Sequence, residues 1–229
     1  MNTEVFKNAK DIKGIVFDMD GTLIDSLMVW DVLWSKAGEK FLGNPDFRPE
    51  SKGDKFVRTS TLKDAINHIY SVYNIAGSGE ELLEFANAVI FNFCKNDVML
   101  KKGVLEFLEY CYKKGIKMCV ASATALDLIK VAVKHCNIGK YFIDILSCAD
   151  IGKGKDQPDI YLLAMERLGT KPEETCIFED SHIAINTAYN IGMNTVGIYD
   201  KYNFGHEEMK KLSNVYIDGG ETMEKLIEK

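Results

Sequence analysis

Short apolar runs alternate with amphipathic stretches along most of this chain, and the two periods predict its elements. Gly14-Ile15-Val16-Phe17 is apolar without interruption, the pattern of a strand covered on both faces. Similar runs predict strands over 116–121, 175–178, 194–199 and 214–217, with a short apolar run at 142–146. Between them, apolar residues at three- and four-residue intervals predict helices over 103–114, 126–136, 160–168 and 183–191. Strands alternating with helices imply a parallel sheet wound on both faces. The interval 26–97 breaks this rhythm. It carries helical periodicity through Leu27–Ala37, again from Ser60 to about Ala76, and again over 80–94, with no strand pattern between. Asp25 or Ser26 offers the side-chain oxygen that caps the first of these helices. A helical block that long exceeds one crossover and reads as an insertion after the first strand.

Composition narrows the class. The 229 residues are 46% hydrophobic and 10% aromatic, enough for a sizeable core. The net charge is −6, and no basic cluster suggests nucleic acid as a partner. The N-terminus lacks a signal h-region and no apolar run approaches ~18 residues, so neither an export signal nor a membrane span is expected. The six cysteines are scattered without C-x-x-C spacing, which suits a reducing, cytoplasmic setting better than a disulfide framework. Nothing in the pattern sets an oligomeric state, and a monomer is compatible with it.

The chemistry lies where the buried runs end. Asp18 and Asp20 follow the first strand, then Gly21 and Thr22. Asp and Gly are depleted inside strands, which puts these acids past the strand's carboxyl end, where open α/β sheets bind ligands. Ser122, Ala123 and Thr124 follow the second strand, Lys155 sits in a lysine- and glycine-rich loop, and Glu179-Asp180-Ser181 closes a later strand. Parallel strands all end on one side, so these groups converge. Two carboxylates about 4 Å apart repel by roughly 4 kcal/mol at an effective dielectric near 20. Four of them persist together only around a cation, either Lys155 or a divalent metal. Magnesium suits hard oxygen ligands beside a phosphate. The four histidines lie apart, so no zinc set is evident. An aspartate can attack phosphorus, a second acid can move the leaving group's proton, and hydroxyls with a lysine can hold phosphoryl oxygens.

Jointly, Asp18-Met19-Asp20-Gly21-Thr22, Ser122, Lys155 before Pro158-Asp159, and Glu179-Asp180-Ser181 resemble the four motifs of the haloacid dehalogenase-like superfamily. The resemblance covers essentially the whole chain and is strongest to the phosphatase and β-phosphoglucomutase-like branch. It implies a doubly wound, Rossmann-like α/β core over 1–25 and 98–229, with an inserted all-helical cap domain over 26–97. By position it makes Asp18 the nucleophile and a Mg2+ ligand, and Asp20 the general acid/base that lends its backbone carbonyl to the ion. Lys155 bridges nucleophile and phosphate, Asp180 is the second carboxylate ligand, and Glu179 with Ser181 supports the metal. Ser122, with Ala123, Thr124 and Thr22, faces the substrate phosphate. Two departures stand out: Asp156 replaces a proline of the family's Lys-Pro-x-Pro-Asp, and Ala184 replaces a frequent glycine. Lys153 is a rival for the role of Lys155.

The activity this implies is Mg2+-dependent hydrolysis of a small phosphorylated metabolite, a sugar phosphate or phosphoglycolate-like monoester, through an aspartyl-phosphate. Dehalogenases and phosphonatases of this fold lack the acid at Asp20. A β-phosphoglucomutase-like mutase is the rival. It carries a cap histidine five residues past the acid equivalent to Asp25, where this chain has Trp30. A mutase also needs cap cations for a second phosphate, for which Lys52, Lys55 and Arg58 are candidates, and Trp30 is a candidate to line the substrate pocket. A non-catalytic phosphate- or metal-binding module would be signalled by a missing nucleophile, acid or lysine, and none is missing.

Overall fold

The computed structural model describes residues 12–50 and 61–227. Lys52, Lys55 and Arg58 lie outside the described residues. The chain divides into two compact units, one of residues 1–26 and 98–229, the other of 27–97.

In chain order the elements are β1 Gly14–Phe17, α1 Val29–Leu42, α2 Leu62–Val72, α3 Gly79–Asn96, α4 Val104–Lys113 and β2 Lys117–Ser122. There follow α5 Leu126–His135, β3 Asp144–Ser147, α6 Cys148–Ile151, α7 Asp159–Leu168, β4 Thr175–Glu179, α8 His182–Asn190, β5 Asn194–Ile198, α9 His206–Leu212 and β6 Val215–Ile217. Among the described residues six strands form one parallel sheet in the order β3-β2-β1-β4-β5-β6. All four residues of β1 are buried, as its unbroken apolar run requires. On one face Phe17, Phe107 and Phe178 stack with ring centroids 4.8–6.3 Å apart. On the other face, Val16 and Ile177 pack with Tyr161, Ala164 and Leu168 of α7 and Ile185 and Ala188 of α8.

The sheet order fixes the position of the site. After β1 the chain builds outward to β2 and β3 on one side, then returns to β4 on the other. The loops after β1 and β4 therefore diverge and leave a crevice between them, as at the switch point of any doubly wound sheet. The first downstream backbone bond, Asp18 N–H to Phe178 O at 2.9 Å, continues the β1–β4 pairing into that crevice.

The helical unit packs α1, α2 and α3 around Leu33, Trp34, Ile66, Ile69, Leu82 and Ala86. Helix α3 opens on a capping box: Glu81 N–H donates to Ser78 Oγ at 3.1 Å and Ser78 N–H to Glu81 Oε2 at 2.8 Å. Helix α1 differs from the expectation. It starts at Val29, after Met28, with no side-chain cap, and Ser26, two residues before Met28, donates its hydroxyl to Asp20. Among the described residues no helix is long and apolar enough to cross a membrane. The six cysteines are all free. Helix α9, between β5 and β6, has too short an apolar repeat to stand out in the sequence.

Candidate active site

The loop after β1 is a compact turn. Leu23 and Ile24 N–H groups both donate to Met19 O at 3.0 Å, and Gly21 N–H donates to Ile24 O at 2.9 Å. Gly21 has φ +78°, a conformation costly for a residue with a Cβ, so the glycine after the second acid is what lets the chain double back. Turning this tightly just beyond a buried strand holds Asp18 and Asp20 at the sheet edge.

The predicted residues largely share one crevice. Asp18, Glu179 and Asp180 are each no more than 5% exposed. Each offers a carboxylate oxygen to a set whose atoms all lie within 4.8 Å of one another. Lys155 Nζ donates to Asp18 Oδ1, and to Glu179 Oε2 at 2.8 Å. Lys153 is exposed and pairs with Asp159 Oδ1 at 2.6 Å, so the structure brings Lys155, not its neighbour, to the acids. Asp20 is gripped on both oxygens: Ser26 Oγ donates to Oδ1 at 2.6 Å and Thr124 Oγ1 to Oδ2 at 2.7 Å. Thr124 is itself held by Ser147 Oγ on its carbonyl at 2.7 Å. Ser122, at the end of β2, is buried and accepts Thr124 N–H at 3.0 Å, which leaves its own hydroxyl proton available to a ligand. Ala123 is exposed beside it. Thr22 is buried, with its hydroxyl on Asp180 Oδ1 at 3.2 Å. Ser181 donates its N–H to Glu179 Oε1 at 3.3 Å. Trp30 lies on α1 in the helical unit, stacked on Trp34 at 5.6 Å.

Three polar groups were not singled out from sequence. Asn203 Nδ2 donates to Asp180 Oδ2 at 2.7 Å. Lys101 Nζ donates to Gly21 O at 2.6 Å, Asp200 Oδ2 at 2.8 Å and Tyr199 O at 3.0 Å. Asp200 stands just past β5, so the rule that polar groups after buried strands converge applies to it too. Lys101 and Asn203 sit in loops with no distinguishing pattern.

The electrostatics follow from crowding. Burial pushes the Asp18 carboxyl up; Lys155 opposes the shift and Asp20 adds to it. Burial, then Asp18, push Glu179 well up against the pull of Lys155. Asp180 is pushed up to about 8, by burial and then Asp18, with Asn203 and Lys101 opposing. Burial works against the charge on Lys155, but Asp18 and Glu179 outweigh it and hold its pKa well above the usual lysine value. One ammonium thus serves two carboxylates, and Asp180 has only neutral donors, Thr22 and Asn203. A buried set of hard oxygens with negative charge in excess, from Asp18, Glu179 and Asp180, could hold a hard divalent cation.

The shift at Asp180 has a sign that can be checked. Its folded pKa lies above its unfolded one, so the ion-free fold takes up a proton that the unfolded chain releases. That contribution is complete below the unfolded value of 3.8 and is lost as pH rises through about 8. The limit is about 1.4 kcal/mol per pH unit for one group. In chelator, Asp180→Asn is expected to melt progressively higher than the wild type between pH 5 and 8. A divalent ion added to the wild type should raise its Tm by more at pH 8 than at pH 5. A Tm difference that stays flat with pH would contradict the assignment.

A Rossmann-like α/β sheet with buried carboxylates and a lysine at its switch point defines the class of protein. The chain belongs to the haloacid dehalogenase-like hydrolase family, whose model matches residues 15–198. It is 28% identical over 206 residues to a phosphorylated carbohydrates phosphatase of Thermotoga maritima, covering 85% of this chain and 88% of the relative. It is 23% identical to phosphoglycolate phosphatase 1 of Pseudomonas aeruginosa, covering 89% and 75%. A Thermotoga maritima structure described provisionally as a β-phosphoglucomutase superposes with a TM-score of 0.76 at 22% identity, covering 89% and 93%. At that identity the superposition speaks for the fold alone.

Proposed function

We propose that this chain is a Mg2+-dependent phosphatase acting on a small phosphate monoester, with a sugar phosphate or a phosphoglycolate-like compound as the substrate class. The observation that carries the reading is the position of Asp18. Its carboxylate lies at the switch point, bridged by Lys155 and within reach of Glu179 and Asp180, while Asp20 is fixed by two hydroxyls two residues on. The names of the relatives support phosphate esters as the substrate.

Asp18 attacks phosphorus as the ester P–O bond breaks, forming an aspartyl-phosphate. Asp20 gives a proton to the departing alkoxide, then takes one from the water that attacks phosphorus and releases inorganic phosphate and free Asp18. Lys155 and the Ser122 hydroxyl hold phosphoryl oxygens as charge builds on them. Asp18, Asp180 and the Asp20 carbonyl would hold a magnesium ion, which would supply charge neutralisation for the incoming dianion. Phosphate monoesters hydrolyse very slowly unaided, so neutralisation and alignment have much to contribute.

One assay separates this reading from its rivals. Purified protein with Mg2+ is offered a panel of sugar phosphates, phosphoglycolate and nucleotides, and free phosphate is measured with and without chelator. Phosphate release that chelator removes by at least about 100-fold is the expected result. Isomerisation of a hexose 1-phosphate in the presence of its bisphosphate, without phosphate release, would instead identify a mutase. Ion binding with no turnover on any ester would identify a binding module.

A further inference from the structure

We infer that Lys101 and Asp200 form a partly buried clamp that sets the catalytic loop against Asp180, and that both are positioning residues for the reaction proposed above. The inference rests on that reading of the site, but the clamp is defined by contacts that exist without substrate or ion.

The Lys101 ammonium carries three donors, and all three are used, on Gly21 O, Asp200 Oδ2 and Tyr199 O. Its side chain is 20% exposed and that of Asp200 4%. Ordering a lysine's four-carbon stem onto three acceptors costs rotamer entropy that an exposed ion pair offsets poorly, so the partial burial of this set matters. Each contact leads to the site. Gly21 belongs to the turn that carries Asp18 and Asp20 and needs a positive φ to do so. Asp200 organises the loop after β5: its Oδ1 accepts Tyr202 N–H at 2.9 Å and its carbonyl accepts Asn203 N–H at 3.1 Å. That loop delivers Asn203 Nδ2 to Asp180 Oδ2, while Thr22, next to Gly21, holds Asp180 Oδ1. The contacts close a ring: Gly21, Thr22, Asp180, Asn203, Asp200, Lys101 and back to Gly21. The backbone reinforces it, since Lys101 N–H donates to Leu23 O at 3.0 Å and Asp25 N–H to Met99 O at 2.9 Å.

The charges of Lys101 and Asp200 cancel each other, so the pair adds little net compensation to the acids. Its work is geometric. It fixes the distance between the β1 turn and the β5 loop, and thereby the angle at which the Asp180 carboxylate faces Asp18. Outer groups that orient ligating carboxylates typically matter by 10–100-fold in metal affinity or activity.

The test compares wild type, Lys101→Met, Asp200→Asn and the double variant, with Lys153→Met as a control for loss of an exposed lysine. Three quantities are read: amide exchange over 19–24 and 201–204 in ion-free protein, Mg2+ affinity by calorimetry, and kcat and KM on a responsive ester. Each single variant should speed exchange in both loops, weaken Mg2+ binding about 10-fold, and lower kcat by 10–100-fold with KM within about 3-fold. The double variant should lose no more than the worse single one, because either change opens the same ring. Folded single variants with wild-type exchange and Mg2+ affinity would overturn the clamp. If Lys101→Met fails to fold, Asp200→Asn, which keeps shape and loses charge, is read by the same criteria. Should the wild type release no phosphate from any ester, the phosphatase reading fails while exchange and ion affinity still decide the clamp.

Discussion

Asp18→Asn is expected to remove phosphate release by at least about 10⁴-fold while leaving the ion-free protein no less stable than the wild type. The two halves of the expectation have different causes. An amide oxygen is too poor a nucleophile to take phosphorus from an ester, so the covalent route closes, and the oriented hydroxyls and lysine support only a residual rate. Stability does not follow activity, because the charge on Asp18 is a burden in the empty fold. Burial and Asp20 push its carboxyl up, so the native state already resists its ionisation. Asparagine has the same shape, its carbonyl still accepts from Lys155, and Lys155 keeps Glu179 at 2.8 Å. Phosphate release and thermal melts in chelator, side by side, make the check. Turnover near wild type would move the nucleophile elsewhere. A collapsed fold would instead show that Asp18 is structural.

The sheet and the acids were legible because two strong physical rules act on short stretches. Uninterrupted apolar runs such as Ile15-Val16-Phe17, bounded by turn residues and rich in β-branched side chains, fit a strand buried on both faces, and acids directly after such runs leave the sheet at one edge. Strand order was not legible, and it is the order that places β1 beside β4 and so Asp18 beside Asp180. The loops were read less well for a related reason. The pattern offers Thr124 to a substrate phosphate, and in the structure its hydroxyl is on Asp20. The pattern offers Asp25 or Ser26 as a helix cap, but the helix starts after Met28 without one, and Ser26 holds Asp20. A hydroxyl beside a turn has several acceptors within reach, and pattern alone cannot say which one tertiary packing selects. Lys153 and Lys155 differ by two residues in one loop. The turn closed by Gln157 N–H on Gly154 O helps direct one lysine to the acids and the other to Asp159 at the surface.

Lys155→Met should be the most destabilising single change in the site. Lys155 is the cation paired with both Asp18 and Glu179, and its side chain is 11% exposed. Methionine retains the apolar stem but leaves two carboxylates buried together beside Asp180 with no ammonium. Breaking a buried ion pair from one side typically costs about 3–5 kcal/mol, larger than the cost of never having built it, because the remaining charges stay desolvated. For a chain of this size that corresponds to a Tm drop of about 10 °C at neutral pH in chelator. The loss should shrink toward pH 5. Asp18 and Glu179 already have raised pKa values, and without Lys155 a proton can replace the missing charge. Mg2+ should recover part of it at neutral pH by the same neutralisation, without restoring phosphate release, because the ammonium that holds phosphoryl oxygens as charge builds on them is still missing. Lys153→Met, which loses only an exposed pair, should melt with the wild type at every pH. Equal melts for the two lysine variants across pH would show that the acids are neutralised by some other means, and the charge argument for the whole crevice would fall with them.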